Sequence, residues 1–277
     1  MNTVLKYPGS KWSTAEWIIS KFPPGYEKLT YVEPYMGSLA VFFNKNRSVI
    51  ETVNDIDSNN DIDSNVVNLF RVIREHPAEM AKLIKLTPWA REEYKNSYEQ
   101  TDEPLEKARR FLVRMWMAIG AKSSDITGFR NVIKGINGNL SHWNNRLPDR
   151  ILEAAERLQH TETCVVQIES QPALQLIERY NRENVLMYID PPYLLSTRSK
   201  RIYKHEMNDQ DHVELLKILY KSKAKILLSG YENDMYNSML EGWHKESVNC
   251  LKEAGLQATE TLWMNYQPDN RQLNLFE

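Results

Sequence analysis

Residues 185–193 read Val-Leu-Met-Tyr-Ile-Asp-Pro-Pro-Tyr, and the fold is decided there. Val185–Ile189 is a short apolar run with β-branched ends, the signature of a strand. It breaks at Asp190, at the carboxyl edge where open α/β sheets bind their ligands. Pro191 and Pro192 fix the backbone and remove two amide donors, leaving carbonyls to face a pocket. Asp190 offers a hydrogen-bond acceptor and Tyr193 a flat aromatic face.

Outward from this stretch, strands and helices alternate. Leu29–Val32 reads as a strand running into Glu33-Pro34-Tyr35-Met36-Gly37, with Ser38 expected to cap a helix buried through Leu39–Phe43. Ser48–Val53 reads as a second strand ending at Asn54-Asp55, and Val66–Arg74 as a helix with Val67 and Phe70 on one face. Further strands are expected at Val165–Ile168, Lys225–Ser229, Trp243–Cys250 and Ala258–Tyr266. Asn208 begins a helix and carries an acidic residue, Asp211, three positions on. Between about Glu75 and Glu162 the alternation gives way to helical segments and a Gly/Asn/Ser-rich stretch. The expected organisation is therefore an α/β domain over 1–74 and 163–266, a mostly helical module inserted at 75–162, and a flexible tail at 267–277.

Composition excludes several classes. The 277 residues are 42% hydrophobic and 26% charged, ordinary for a globular protein. No apolar run approaches the ~20 residues that span a bilayer, and no signal peptide opens the chain, so a cytoplasmic location is expected. Cys164 and Cys250 are the only cysteines, too few for a disulfide framework or a cysteine-based zinc site. Net charge is −2, yet Lys107 to Arg150 carries +7: nine basic residues are opposed only by Asp125 and Asp149. Such asymmetry is an electrostatic footprint for phosphate or a solvated basic face.

The chain resembles the Dam family of DNA adenine methyltransferases over nearly its whole length. Asp190-Pro191-Pro192-Tyr193 matches that family's catalytic tetrapeptide, and Lys6-Tyr7-Pro8-Gly9-Ser10-Lys11 resembles its amino-terminal cofactor motif. Tyr31 through Gly37, with Glu33-Pro34 and Gly37, resembles its methionine-binding loop. Asn54-Asp55 stands where the acidic ribose ligand belongs, and Leu262-Trp263-Met264-Asn265-Tyr266 resembles the closing strand. Several motifs in this order make a specific signal. The resemblance implies a Rossmann-like methyltransferase sheet with an inserted target-recognition domain. The implied activity is methylation of adenine N6 in double-stranded DNA with base flipping, in a restriction-modification setting, from S-adenosylmethionine. Tyr7, Lys11, Glu33, Pro34, Gly37 and Asp55 would hold the cofactor, Lys11 by pairing with its carboxylate and Gly37 by allowing close backbone approach. Asn54 through Asn59 is repeated at once as Asn60 through Asn65, so Asp55 or Asp61 is the ribose ligand; Asp55, tied to the strand, is favoured.

The N6 lone pair of adenine is delocalised into its ring. Hydrogen bonds from the amine to Asp190 and the Pro191 carbonyl would localise it toward the methyl group, without a covalent intermediate. Extrusion of the base costs a few kcal/mol, of which stacking on Tyr193 returns about 1–3 kcal/mol. In the insert, Phe129, His142 and Trp143 mingle with basic residues as in a groove reader, whereas Trp116 lies in an apolar run and reads as core. Lys122, Arg130, Lys134 and Arg146 are the DNA candidates there, with Arg198, Lys200 and Arg201 in a second basic loop after the tetrapeptide. The Arg-x-Asn-x-x-Gly-x-Phe-Asn-x-Pro run of family members that read GATC is missing, so that specificity is not expected. The tail ends Gln272-Leu273-Asn274-Leu275-Phe276, resembling the peptide by which bacterial proteins dock on the replication sliding clamp.

Rival readings fit less well. Cytosine-N4 and glutamine methyltransferases more often carry Ser or Asn in place of Asp190. Cytosine-C5 enzymes need a Cys after Pro, but Cys164 and Cys250 follow Thr and Asn. A silent DNA-binding module is at odds with an intact Asp190 and cofactor loop, and a nicotinamide dehydrogenase with the lack of any Gly-x-Gly-x-x-Gly.

Overall fold

Val185–Ile189 forms the strand expected of it, with all five residues buried. The computed structural model describes residues 2–55, 66–120, 126–131, 139–197, 206–251 and 257–269. Asp61, Lys122, Lys134, Arg198, Lys200, Arg201 and the tail residues Gln272, Leu273, Leu275 and Phe276 lie outside them.

Seven strands form one sheet: β1 (Thr30–Glu33), β2 (Ile50–Asn54), β3 (Val165–Glu169), β4 (Val185–Ile189), β5 (Lys225–Gly230), β6 (His244–Leu251) and β7 (Gln257–Met264). Their order is β3-β2-β1-β4-β5-β7-β6, parallel except for β7, which runs antiparallel to both neighbours. This is a Rossmann-like methyltransferase sheet. Chain order reverses between β1 and β4, which places the ligand crevice outside their carboxyl ends. The helices are α1 (Ala15–Ser20), α2 (Ala40–Asn44), α3 (Val66–Glu75), α4 (Pro77–Leu86), α5 (Arg91–Asn96), α6 (Pro104–Met117), α7 (Asn139–Trp143), α8 (Leu147–Leu158), α9 (Ala173–Arg179), α10 (Asp209–Tyr220) and α11 (Asp234–Met239). None is long and apolar enough to cross a membrane.

Alternation along β4 separates the two faces of the sheet. Val185, Met187 and Ile189 pack with α9 and α10 through Leu176, Ile177, Leu215, Leu216 and Leu219. Leu186 and Tyr188 join the opposite cluster, which runs without a break into the middle of the chain through Met80, Ile84, Trp116, Trp143 and Ile151. The described helices of 75–162 thus share their core with the sheet. Trp116 is core, as its apolar run implies, and its indole donates to the Val4 carbonyl at 2.9 Å.

One local expectation needs correction. Ser38 does not cap α2, because the residue preceding the helix is Leu39, left-handed at φ 57°. Gly37, at φ 44°, and Leu39 together turn the chain too tightly for a side-chain cap at Ser38, whose hydroxyl instead meets that of Ser10 at 2.7 Å. At α10 the local chemistry is as expected. Asn208 and Asp211 exchange hydrogen bonds of 3.0 and 2.8 Å in a full capping box.

A buried ionic hub fastens the helical block to the sheet. Glu51 on β2 is fully buried and pairs with Lys45 and, through both oxygens, with Arg157 of α8 at 2.5 and 2.9 Å. Arg157 also donates to the Phe42 carbonyl at 3.0 Å. Burial pushes the Glu51 carboxyl up, but Arg157 and Lys45 outweigh it and leave its pKa below the ordinary value. Glu51→Ala strands two cations and is expected to cost about 3–5 kcal/mol in urea unfolding at pH 7. Because the folded pKa is depressed, Glu51's share of stability is present above its unfolded pKa and is lost as pH falls through the folded one. The variant's deficit should therefore shrink in acid; a deficit that stays constant from pH 7 to pH 3 would rule out the ionic origin.

Candidate active site at the carboxyl edge of the sheet

Four strand ends and the amino-terminal segment meet at this edge. Glu33 is the last residue of β1, Asn54 the last of β2, Asp190 follows β4 and Tyr231 follows β5. β7 runs the other way, so an early residue, Glu260, reaches the same edge beside Thr261, the partner of Gly230. Lys11 arrives from the amino terminus through a turn in which Ser10 N–H donates to the Tyr7 carbonyl at 3.2 Å.

Lys11 is the hub. Its ammonium, 6% exposed as a residue, donates to the Gly9 carbonyl at 2.9 Å, pairs with Asp190 Oδ1 at 3.0 Å, and lies 3.7 Å from Glu260 Oε1. It also stands 4.8 Å from the centroid of the Tyr193 ring. The Tyr193 hydroxyl donates to Glu260, and Tyr231 packs against the ring at 4.7 Å and 78°. Burial raises the pKa of Asp190, with Lys11 and Tyr193 pulling the other way. Burial likewise raises Glu260, where the charge of Asp190 adds to the rise and Lys11 opposes it. Glu33 accepts the Tyr31 hydroxyl at 2.8 Å and is pushed up to about 8, first by burial, then by Asp190, against the pull of Tyr31 and Lys45.

The loop after β1 is held from below by Asn54. Its amide donates to the Pro34 and Gln171 carbonyls at 3.0 and 3.1 Å, and its oxygen accepts Gln171 N–H at 3.0 Å. Asp55 Oδ2 accepts Gly37 N–H at 3.2 Å, so the strand-tied aspartate abuts the glycine loop. A Cβ on Gly37 would lie 3.2 Å from the Tyr7 ring. The glycine is therefore required by its positive φ and by Tyr7.

The basic stretch divides in two. Arg109 pairs with Glu106 and Glu93, Arg110 with Glu106, and buried Arg114 donates to the Ser97 carbonyl, so these three serve the fold. Trp143 is fully buried, donating to the Thr87 carbonyl at 2.9 Å, and Phe129 packs with Trp89 and Tyr94. Trp143 is therefore core and no groove reader, while Phe129 stays partly exposed. Arg130 braces the strand-like pairing of Ala118 with Phe129, donating through Nε to the Ala118 carbonyl at 3.1 Å. Arg146 is exposed, 3.3 Å from His142 Nε2. Burial and then the charges of Arg150, Arg146 and Lys6 hold the His142 imidazole below its usual pKa, which places four basic groups together.

Glu260 and Tyr231 escaped the sequence reading. A lone glutamate inside an otherwise Thr- and apolar-rich strand was the available signal for Glu260, but its partners lie 67 residues away and further. The raised Glu33 pKa has a consequence for stability. Between the unfolded value and about 8 the native protein holds a proton that the unfolded chain has lost, so stability falls as pH rises through this window. Glu33→Gln removes that dependence and should gain on the wild type in urea midpoint from pH 5 to pH 8. A constant difference across that range would place Glu33 ionised throughout.

The site corresponds to a known family. A family model described as "D12 class N6 adenine-specific DNA methyltransferase" matches residues 7–254, which takes in Lys11, Glu33, Asp55, Asp190 and Tyr193. A comparison with curated proteins finds no match. The model spans most of the chain, so the protein belongs to the D12 class of N6 adenine-specific DNA methyltransferases.

Proposed function

We propose that the chain methylates N6 of an adenine flipped out of double-stranded DNA, with S-adenosylmethionine as donor and residues 75–162 reading the target. The observation that carries this reading is Asp190, placed after the central strand β4, steadied by Lys11, and followed by Pro-Pro-Tyr.

The residues present fit the cofactor. Glu33, protonated below about 8, can release that proton to a cationic group at the end of β1, and the Asp55 carboxylate abuts the Gly37 loop, a set that suits a cation carrying hydroxyls. When bound, S-adenosylmethionine supplies an electrophilic methyl group on a sulfonium. Glu33 would hold its ammonium end, with Tyr7, Pro34 and Gly37 shaping the loop, and Asp55 at the end of β2 would accept ribose hydroxyls. Lys11, assigned by resemblance to the cofactor's carboxylate, lies on Asp190, and in this reading it steadies that aspartate. Asp190 and the Pro191 carbonyl accept the two N6 protons and turn the lone pair toward the methyl group, while Tyr193 flanks the base. This is positioning and electrostatic preorganisation. Cytosine N4, the alternative amine, is disfavoured by the family's adenine specificity.

Asp190→Ala should retain S-adenosylmethionine binding in calorimetry and lose methyl transfer to duplex DNA. Wild-type turnover in this variant sinks the mechanism. A second expectation concerns the basic cluster. Lys6 lies 4.2 Å over the Trp116 ring, beside Arg146 and His142, and is five residues from Lys11. At ~3.3–3.6 Å per residue, the cluster's Lys6 lies within about 18 Å of the pocket along the chain, in reach of phosphates beside a flipped base. Lys6→Gln and Arg146→Gln should each weaken DNA binding and reduce the slope of log K against log salt by about 0.9. Unchanged slopes would move the phosphate contacts elsewhere.

A further inference from the structure

The mechanism above leaves one buried carboxylate beside the pocket without a task. Glu260 is 4% exposed, accepts the Tyr193 hydroxyl, and lies 3.7 Å from the Lys11 ammonium that also pairs with Asp190. We propose that Glu260 is a positioning residue for methyl transfer, fixing the Tyr193 ring through its hydroxyl and drawing Lys11 partly away from Asp190. The inference rests on the reading of Asp190–Tyr193 as the amine pocket.

Two contacts give the argument. A phenol held at its far end cannot swing about its Cβ, and Tyr231, edge-on at 4.7 Å, limits the ring from another side. Ring orientation is then set by β7 and the end of β5, not by the Pro-Pro turn alone. The second contact concerns charge. An ammonium has three protons to donate, and Lys11 places them among Gly9, Asp190 and the direction of Glu260. With a neutral residue at 260 the cation would settle wholly on Asp190 and compete with the adenine amine for the same carboxylate oxygens. A charged Glu260 shares the ammonium and leaves Asp190 a better acceptor. A mere fastening of Tyr193 needs only an oxygen, which glutamine supplies; sharing the ammonium needs the charge. The groups facing Glu260 are Lys11 from the amino-terminal segment and Asp190 and Tyr193 after β4.

The test is Glu260→Gln, compared with Glu260→Asp and Tyr193→Phe in the full-length protein. The expected result for Glu260→Gln is an unchanged melting temperature, an unchanged S-adenosylmethionine Kd by calorimetry, and a single-turnover methyl-transfer rate lowered about 10- to 100-fold at unchanged KM for duplex DNA. Glu260→Asp should restore part of the rate. The Glu260→Gln/Tyr193→Phe double variant should lose about the product of the two single losses, because glutamine keeps the Tyr193 contact and the two changes remove different contacts. A wild-type rate in Glu260→Gln overturns the proposal. So does a rate that falls only in proportion to lost folded protein. Should Glu260→Gln fail to fold, Tyr193→Phe removes the shared contact without touching the carboxylate, and a wild-type rate there is equally decisive. Asp190→Ala separates the two levels: activity in that variant fails the pocket reading, whereas an inactive Asp190→Ala beside a fully active Glu260→Gln fails this inference alone.

Discussion

Two carboxylates at the carboxyl edge of the sheet would repel each other without the ammonium of Lys11 between them. Like charges a few ångströms apart in a poorly solvated pocket are costly, and a shared cation is the least expensive remedy short of protonation. Asp190 comes from the end of β4, Glu260 from the start of β7, and Lys11 from the first turn of the chain. These positions meet only once β4, β5 and β7 have paired in that order, with β7 antiparallel. The pocket is thus a product of completed topology, and its charge balance is sensitive to all three strands.

A second ionic network, centred on Glu51, does comparable work on the other side of β1. It ties α8 to β2, and α8 packs on α3 and α4 over the same sheet face. Because the described helices of 75–162 share their core with the sheet, Arg146 and His142 belong to the same packed body as Asp190. A grip on phosphate at that cluster would then fix the height at which a flipped base enters the pocket. Positioning of this kind is worth more to catalysis than affinity alone.

Much of this was legible in the sequence, for identifiable reasons. The strands showed themselves because buried parallel strands are short apolar runs, and β4 was read to the residue. Asp190 and Asp55 do stand at strand ends, as their places after apolar runs imply. What could not be read was pairing between distant positions. The +7 stretch looked uniform, yet Arg109, Arg110 and Arg114 answer carboxylates and carbonyls elsewhere in the helical block, while Arg146 remains exposed. At Gly37 the sequence suggests close approach of a cofactor, but not the Tyr7 ring, thirty residues earlier, that a Cβ there would crowd. Ser38 had the right chemistry for a cap and the wrong backbone, since two left-handed residues around it spend the turn before the helix can begin.

The remaining question is how a pocket rich in carboxyl groups accommodates a polyanion. Burial does part of this, because the desolvation that raises Glu33 to about 8 leaves it largely uncharged at neutral pH. Lys11 does the rest locally, and Lys6 and Arg146 supply positive charge a short way off. Charge is therefore segregated by depth: cations where phosphates would run, carboxyls where only an uncharged base and a cationic donor need to enter. Asp190 must still be ionised to be a strong acceptor for its share of the amine's hydrogen bonds. It is paired with Lys11 at hydrogen-bond distance, with Glu260 3.7 Å from the same ammonium, so one cation offsets both charges.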